Sequence, residues 1–358
     1  MKRTITISVD QLYRPQPGGI ATYVRGLVRG LAVLDGELDL VGLAPSGAVP
    51  SDLASLPIRL RSARVPLSVL SRVWPHWSLG VPRSSTVVHA TSMAGPFTGG
   101  AHAVHSEAMH DLLWRDEPGA STASGIRFHE DRLRRITRDG ALRIFTTSPG
   151  LAERLVSLGI ADERIRMVRL GADDDTQLAA DPATVSSLLT RHEVRGPFTL
   201  YAGTREPRKN LERLVEAHRL ARADYPGLGS LVLVGSSGWG DVATGDAVVL
   251  GHVDRSTLLG LYRDATVFAY VPRREGWGLP PVEALHAGTR VVASTTTPSV
   301  STNETVVTVD PLDVVAIAEG LARALALTGD DTARAARRES VSHLTWRNAA
   351  LDHLAGWQ

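Results

Sequence analysis

Phe198-Thr199-Leu200-Tyr201-Ala202-Gly203-Thr204-Arg205-Glu206-Pro207-Arg208-Lys209-Asn210-Leu211 opens as a five-residue, mostly apolar run and breaks at a glycine. It then gathers Pro, Arg and Lys ahead of an amphipathic helical pattern. A short apolar run bounded by turn residues reads as a buried strand. Pro207 suits the first turn of a helix, where its missing N–H costs little. The same alternation runs outward in both directions. Strand candidates precede it at 4–9, 38–43, 86–90 and 142–146, and follow it at 230–234, 247–250, 266–270 and 290–293. Between the early ones, residues 20–34 place Ile20, Val24, Leu27, Val28 and Leu31 on one helical face. Strands alternating with helices imply an α/β fold whose parallel sheets are covered on both faces.

The 358 residues suffice for about two domains, each with its own core. The stretch 171–197, poor in strand signals and containing Asp173-Asp174-Asp175 and Asp181-Pro182, reads as the linker. The expected domains are therefore 1–180 and 196–344, with a terminal helix over about 345–358 returning to the first. A formal charge of +1 argues against a nucleic-acid partner, because counterion release needs a basic surplus. Residues 1–180 hold 21 basic and 18 acidic side chains and the remainder 18 and 20, which permits a mildly basic first half. The absence of cysteine excludes disulfides, thiolate nucleophiles and Cys-based metal sites. Nothing in the sequence looks like a signal peptide or a membrane span, so a cytoplasmic location is expected. Of 39 Lys and Arg residues, only Lys2 and Lys209 are lysines. Base composition can produce such a bias, but it does not explain why Lys209 falls where it does.

Four segments carry chemistry. Gly18-Gly19, between the first strand and the first helix, lets backbone approach a ligand near free helix N–H groups, though a tight turn alone would look the same. Arg208 and Lys209 stand at a strand end just ahead of a helix, where cations and amides can meet a diphosphate. Arg274-Glu275-Gly276-Trp277-Gly278-Leu279-Pro280-Pro281-Val282-Glu283 places two carboxylates eight positions apart around a glycine-rich loop. Glu275 is expected at a strand end and Glu283 one turn into a helix, both at the carboxyl edge where open α/β sheets bind ligands. Carboxylates accept hydroxyl pairs well, so sugar or ribose is the natural partner. His110, at the end of another strand, is placed to donate a hydrogen bond.

Together these segments resemble the family-four retaining glycosyltransferases of GT-B architecture, particularly bacterial mannosyl- and rhamnosyltransferases. The resemblance spans nearly the whole chain: Gly18-Gly19, His110-Asp111-Leu112, Glu206-Pro207-Arg208-Lys209-Asn210, Glu275 with Glu283, Asp310-Pro311 and Trp346. It implies two Rossmann-like domains facing across a deep crevice. Arg208 and Lys209 would neutralise a nucleoside diphosphate, Glu283 would hold the ribose, and Glu275 a hydroxyl of the donor sugar. The backbone of Gly276, Trp277, Gly278 and Leu279 would touch sugar or phosphate, Gly18 and Gly19 would approach the diphosphate, and Gly251 and Val253 would edge the base pocket. His110 would bond the sugar near the reacting carbon. Three departures are visible: Trp277 stands where Phe is usual, the stretch after Ser294 is shortened, and Thr204 replaces an arginine that Arg205 or Arg208 must replace functionally.

The resemblance further implies a hexosyltransferase without a cofactor, with a nucleoside-diphosphate sugar, GDP-mannose first, as donor substrate. Asp173-Asp174-Asp175 falls in the expected linker rather than at the site, so no metal is expected either. The acceptor would be a glycan or a lipid-linked glycan of polysaccharide or glycolipid assembly. A nucleotide-sugar epimerase and a catalytically inactive nucleotide-sugar binder are the alternatives. Residues 65–77, with Trp74 and Trp77 and with Arg59, Arg61, Arg64 and Arg83 nearby, could meet a membrane surface or be a loop packed on the core.

Overall fold

Runs of three to seven residues, most of them rich in apolar side chains, form the strands of two sheets. The structure, a computed structural model, describes the chain except residues 1–2, 15–17, 35, 37, 97–102, 121, 173–175 and 239 and the side chains of 120 and 176. The triple aspartate 173–175 therefore lies outside the described residues. Two compact units emerge, 1–171 with 345–358, and 172–344.

In the first unit the strands are β1 (Arg3–Ser8), β2 (Leu38–Ala44), β3 (Arg59–Ser62), β4 (Val87–Ala90), β5 (Val104–Met109), β6 (Arg143–Thr146) and β7 (Ile165–Met167). They lie in the order 3-2-1-4-5-6-7, all parallel, with Ile5 opposite Leu40 on one side and Val87 on the other. In the second unit β8 (Phe198–Ala202), β9 (Ser230–Val234), β10 (Val248–Gly251), β11 (Val267–Tyr270), β12 (Val291–Ser294) and β13 (Val306–Val309) take the order 10-9-8-11-12-13, again all parallel. Each unit is thus a Rossmann-like sheet. β8 and β11 are buried along their whole length, as expected of strands covered on both faces.

Four strands escape the apolar-run reading, each for a physical reason. β3 is an edge strand exposing Arg59 and Arg61, and β7 is only three residues long. β5 buries the polar Ser106 and Glu107, so its polarity hides its burial. β13 is a short edge strand. The expected linker is not one: Pro182–Arg191 is a helix that buries Val185 and Leu189. Asp181, which reads as a turn residue, is its N-cap and accepts from Thr184 N at 3.0 Å, with Pro182 opening the helix. The second unit accordingly starts at Ala172, so residues 172–180, assigned by sequence to the first domain, belong to it.

The helix Trp346–Gly356 packs on the helix Gly18–Ala32 within the first unit. Gly26 and Gly30 make room for it: a Cβ on Gly26 would lie 2.0 Å from the Trp346 ring, and one on Gly30 would lie 2.1 Å from the Trp346 carbonyl oxygen. A one-way chain of hydrogen bonds then threads the interface. Trp357 Nε1 donates to Ser106 Oγ at 2.8 Å, and Ser106 donates to His89 Nδ1 at 2.9 Å. His89 Nε2 donates to Tyr23 Oη at 2.6 Å, Tyr23 donates to His353 Nε2 at 2.8 Å, and His353 Nδ1 donates to the Ala349 carbonyl at 2.7 Å. Burial lowers the pKa of both histidines below the ordinary value, and for neutral rings the carbonyl at the end of the chain sets the directions.

Candidate active site

Open α/β sheets bind ligands at the carboxyl ends of the strands where strand order reverses. In the second unit that point lies between β8 and β11. The loop leaving β8 carries Arg208 and Lys209, and the loop leaving β11 carries Glu275. Lys209 Nζ donates to Tyr270 Oη at 2.6 Å and also to Glu275 Oε2. Tyr270 Oη donates to the same carboxylate oxygen at 2.6 Å, and Arg208 Nη1 stands 3.7 Å from it. Arg208 is steered by Glu206, to which its Nε donates at 2.8 Å.

Electrostatics make this cluster an anion-ready one. Burial by itself would raise the Glu275 carboxyl, but Lys209 and Arg208 outweigh it and bring it down to about 2. Burial pulls Lys209 below the ordinary lysine range, and Glu275 opposes that pull. Lysine has three donors. Tyr270 and Glu275 take two, which leaves one N–H for a ligand.

The loop arrangement differs from the expected helix start. Pro207–Lys209 is an isolated 3₁₀ turn, and the helix begins only at Leu211. Asn210 separates them at φ 63°, a left-handed conformation that asparagine tolerates better than most residues. Its buried side chain donates to the carbonyls of Val271, at 3.0 Å, and Pro311, at 2.6 Å. Arg273 N donates to the Arg208 carbonyl at 3.1 Å. Asn210 therefore locks the two site loops together, a role the sequence motif contains but does not reveal. Tyr270 is likewise absent from the sequence reading; its only signal is being a tyrosine at a strand's carboxyl end.

The remaining sequence-chosen residues fall in three places. Gly276, Trp277 and Gly278 form the turn into the helix Leu279–His286. Gly278 sits at φ 95° against Thr297 and Ser299, and Ser299 N donates to the Trp277 carbonyl at 3.0 Å, so the shortened stretch after Ser294 braces this turn. Glu283 accepts from Arg255 Nη1 at 2.6 Å and from Tyr262 Oη at 3.0 Å. Its partners thus differ from those of Glu275. Gly251 ends β10 with its carbonyl accepting from Gly235 N at 2.8 Å, and Val253 packs against the unit's core. Arg205 bonds the Gly235 carbonyl at 2.7 Å and Ser237 Oγ, so Arg208 rather than Arg205 is the arginine beside Glu275.

Gly18, Gly19 and His110 belong to the first unit. The two glycines are the first residues of the helix itself, not a turn before it. His110 follows β5, with its ring edge-on to Tyr23 at 5.0 Å. Its Nε2–H is spent on the Thr91 carbonyl at 2.9 Å, and burial holds its pKa below the ordinary histidine value. A neutral ring in that tautomer offers Nδ1 as an acceptor. The expected donor is thus an acceptor of a hydroxyl hydrogen.

Comparison with known proteins agrees with this architecture. Residues 18–171 match the family model described as Glycosyl transferase 4-like domain, and residues 196–326 match Glycosyl transferases group 1. O-antigen chain mannosyltransferase B of Escherichia coli is 31% identical over 235 residues, which cover 61% of this chain and 60% of that protein. Serotype-specific mannosyltransferase WbdA of Escherichia coli is 26% identical over 205 residues, 52% of this chain and 25% of that protein. The chain thus spans well under two thirds of these relatives. Sucrose-phosphate synthase from Thermosynechococcus elongatus shares the fold, with a TM-score of 0.70 at 21% identity over 99% of this chain and 98% of that one. Two parallel Rossmann-like sheets, each carrying its own half of the family signature, place the chain among the glycosyltransferases of GT-B architecture, the family to which it belongs.

Proposed function

We propose that the chain transfers a hexosyl group, mannose first, from a nucleoside-diphosphate sugar to a glycan or lipid-linked acceptor, with retention at the anomeric carbon. The observation that carries the reading is the convergence of Lys209, Arg208, Tyr270 and Glu275 at the switch point of the second sheet. In the reaction the bond from the anomeric carbon to the diphosphate oxygen breaks, and a bond to the acceptor oxygen forms on the same face. The acceptor proton passes to the departing phosphate. Lys209, through its third N–H, and Arg208 stabilise the charge growing on that phosphate, and they are already in place before the reaction begins. Ionised Glu275 accepts from a donor-sugar hydroxyl, and His110 Nδ1 accepts from another hydroxyl. Glu283, set by Arg255 and Tyr262, holds the ribose.

Mannose is favoured because both bacterial relatives are named as mannosyltransferases, and GDP-mannose is the first donor to test. With two fixed cations facing the diphosphate, no metal ion is required. The enzyme works in the cytoplasm and touches the membrane surface through the segment around Trp77, which is 68% exposed, with Arg64 and Arg72 exposed in the same stretch of sequence. Trp74, by contrast, is a core residue. Among the described residues no helix is long and apolar enough to cross a membrane.

Nucleoside-diphosphate release from GDP-mannose, with and without excess chelator, tests the reading. Glu275→Gln and Lys209→Met should each lower turnover about a hundredfold or more, as loss of a preorganised charge does. Wild-type turnover in both variants, or activity abolished by chelator and restored by manganese, would refute the assignment. Sedimentation with vesicles tests the membrane contact, which Trp77→Ser should weaken.

A further inference from the structure

At the carboxyl edge of the first sheet lies a cavity of about 1410 Å³, with His110 in its wall. That exceeds the ordinary range for small-molecule sites and accommodates a sugar with a further substituent. Its wall is arginine-rich. Arg14, Arg72, Arg132, Arg134, Arg135 and Arg138 all line it, against Asp111, Asp131 and Asp139. The acids are engaged locally: Asp131 pairs with Arg134, Asp111 accepts from Leu113 N, and Asp139 accepts from Ala141 N. Arg14 and Arg72 are exposed side chains.

Arg132 is the decisive residue. It is 6% exposed, packs its guanidinium over the Phe128 ring at 3.4 Å, and donates Nη2 to the Ser71 carbonyl, while its Nε has no hydrogen-bond partner. The acid nearest in charge, Glu107, is fully buried without a hydrogen bond to either oxygen. Burial pushes that carboxyl well above its usual range, and the neighbouring Arg132 charge opposes the push. A buried guanidinium with an N–H left unpartnered is costly, and an anion in the cavity offsets that cost.

We propose that this cavity receives a phosphoryl group borne by the acceptor, with Arg132 as its buried contact and Arg14 and Arg72 as its outer ones. The acceptor class is then a sugar carrying a phosphomonoester or a diphosphate. This deepens the transfer reading and rests on it only for the word acceptor.

Trp114 lines the same cavity, stacks on His129 at 4.7 Å, and donates Nε1–H to Glu130 at 2.8 Å, so its indole N–H resonance reports occupancy. The full chain is titrated with glucose 6-phosphate, inorganic pyrophosphate and glucose, the Trp114 signal being assigned with Trp114→Phe. Either phosphorylated probe should move that signal at millimolar concentration and glucose should not; the sugar phosphate moving it points to a monoester, pyrophosphate alone to a diphosphate. Arg14→Gln with Arg72→Gln should weaken the apparent affinity about tenfold. Lys209→Met, in the other unit, should leave the Trp114 response intact. Arg132→Gln should abolish it, and the exposed pair keeps the test decisive if that variant misfolds. A silent Trp114, an equal response to glucose, or a response lost only in Lys209→Met would overturn the proposal. Donor turnover with a silent Trp114 would sink the cavity and keep the transfer reading; a responding Trp114 with no turnover would do the reverse.

Discussion

Lowering the pH from 7 to 5 should weaken the first unit through His353, and the size follows from its burial. His353 is fully buried at the end of the Trp357–Ser106–His89–Tyr23–His353 chain. Burial lowers its pKa to about 4; its bond to the Ala349 carbonyl opposes that shift, and His110 adds slightly to it. A proton on Nε2 would turn the acceptor of the Tyr23 hydroxyl into a donor. Tyr23 would then face two N–H groups with its own hydrogen unplaced. The folded pKa lies below the unfolded value of about 6.5, so the unfolded chain binds more protons as pH falls between them, and stability is lost on acidification. From pH 7 to pH 5 the loss attributable to His353 is about 2 kcal/mol. Urea unfolding at both pH values, followed by tryptophan fluorescence in wild type and His353→Gln, isolates the effect. The variant starts less stable but should lose about 2 kcal/mol less on acidification. Equal losses in the two proteins would refute the neutral, one-way chain.

Other expectations are more local. Lys209→Arg should abolish most GDP-mannose turnover although charge is kept, because the compact ammonium fits between Tyr270 and Glu275 and a planar fork does not; steady-state rates check this, and unchanged activity would make the lone lysine an accident. Asn210→Ala should destabilise the second unit by about 3 kcal/mol, since two buried carbonyls lose their donor and alanine resists positive φ. Asn210→Gly should recover roughly 1 kcal/mol of this, the left-handed part alone, in chemical denaturation. Gly26→Ala should drive the terminal helix off its seat, costing about 2 kcal/mol or more, visible as faster hydrogen exchange over 346–356.

Much of this protein is written locally. Apolar runs bounded by glycine and proline fix the strands of both sheets, and their alternation with helices fixes parallel pairing, because crossovers must cover each face. The spacing of Glu275 and Glu283 and the cluster at Arg208 and Lys209 also mark a site without any coordinates. Where the pattern misleads, the cause is tertiary. β5 is polar because its side chains meet a buried hydrogen-bond chain and Arg132, and Asp181-Pro182 begins a helix because Val185 and Leu189 find a core. Only the folded unit brings Tyr270 onto Lys209 and Glu275, makes Asn210 the clasp between two loops 61 residues apart, and turns His110 from donor to acceptor. Those decisions depend on distance and burial, which a linear pattern does not carry. The lone internal lysine was visible from the start, but its three-way place between a tyrosine, a carboxylate and an open N–H is a property of two strands lying side by side.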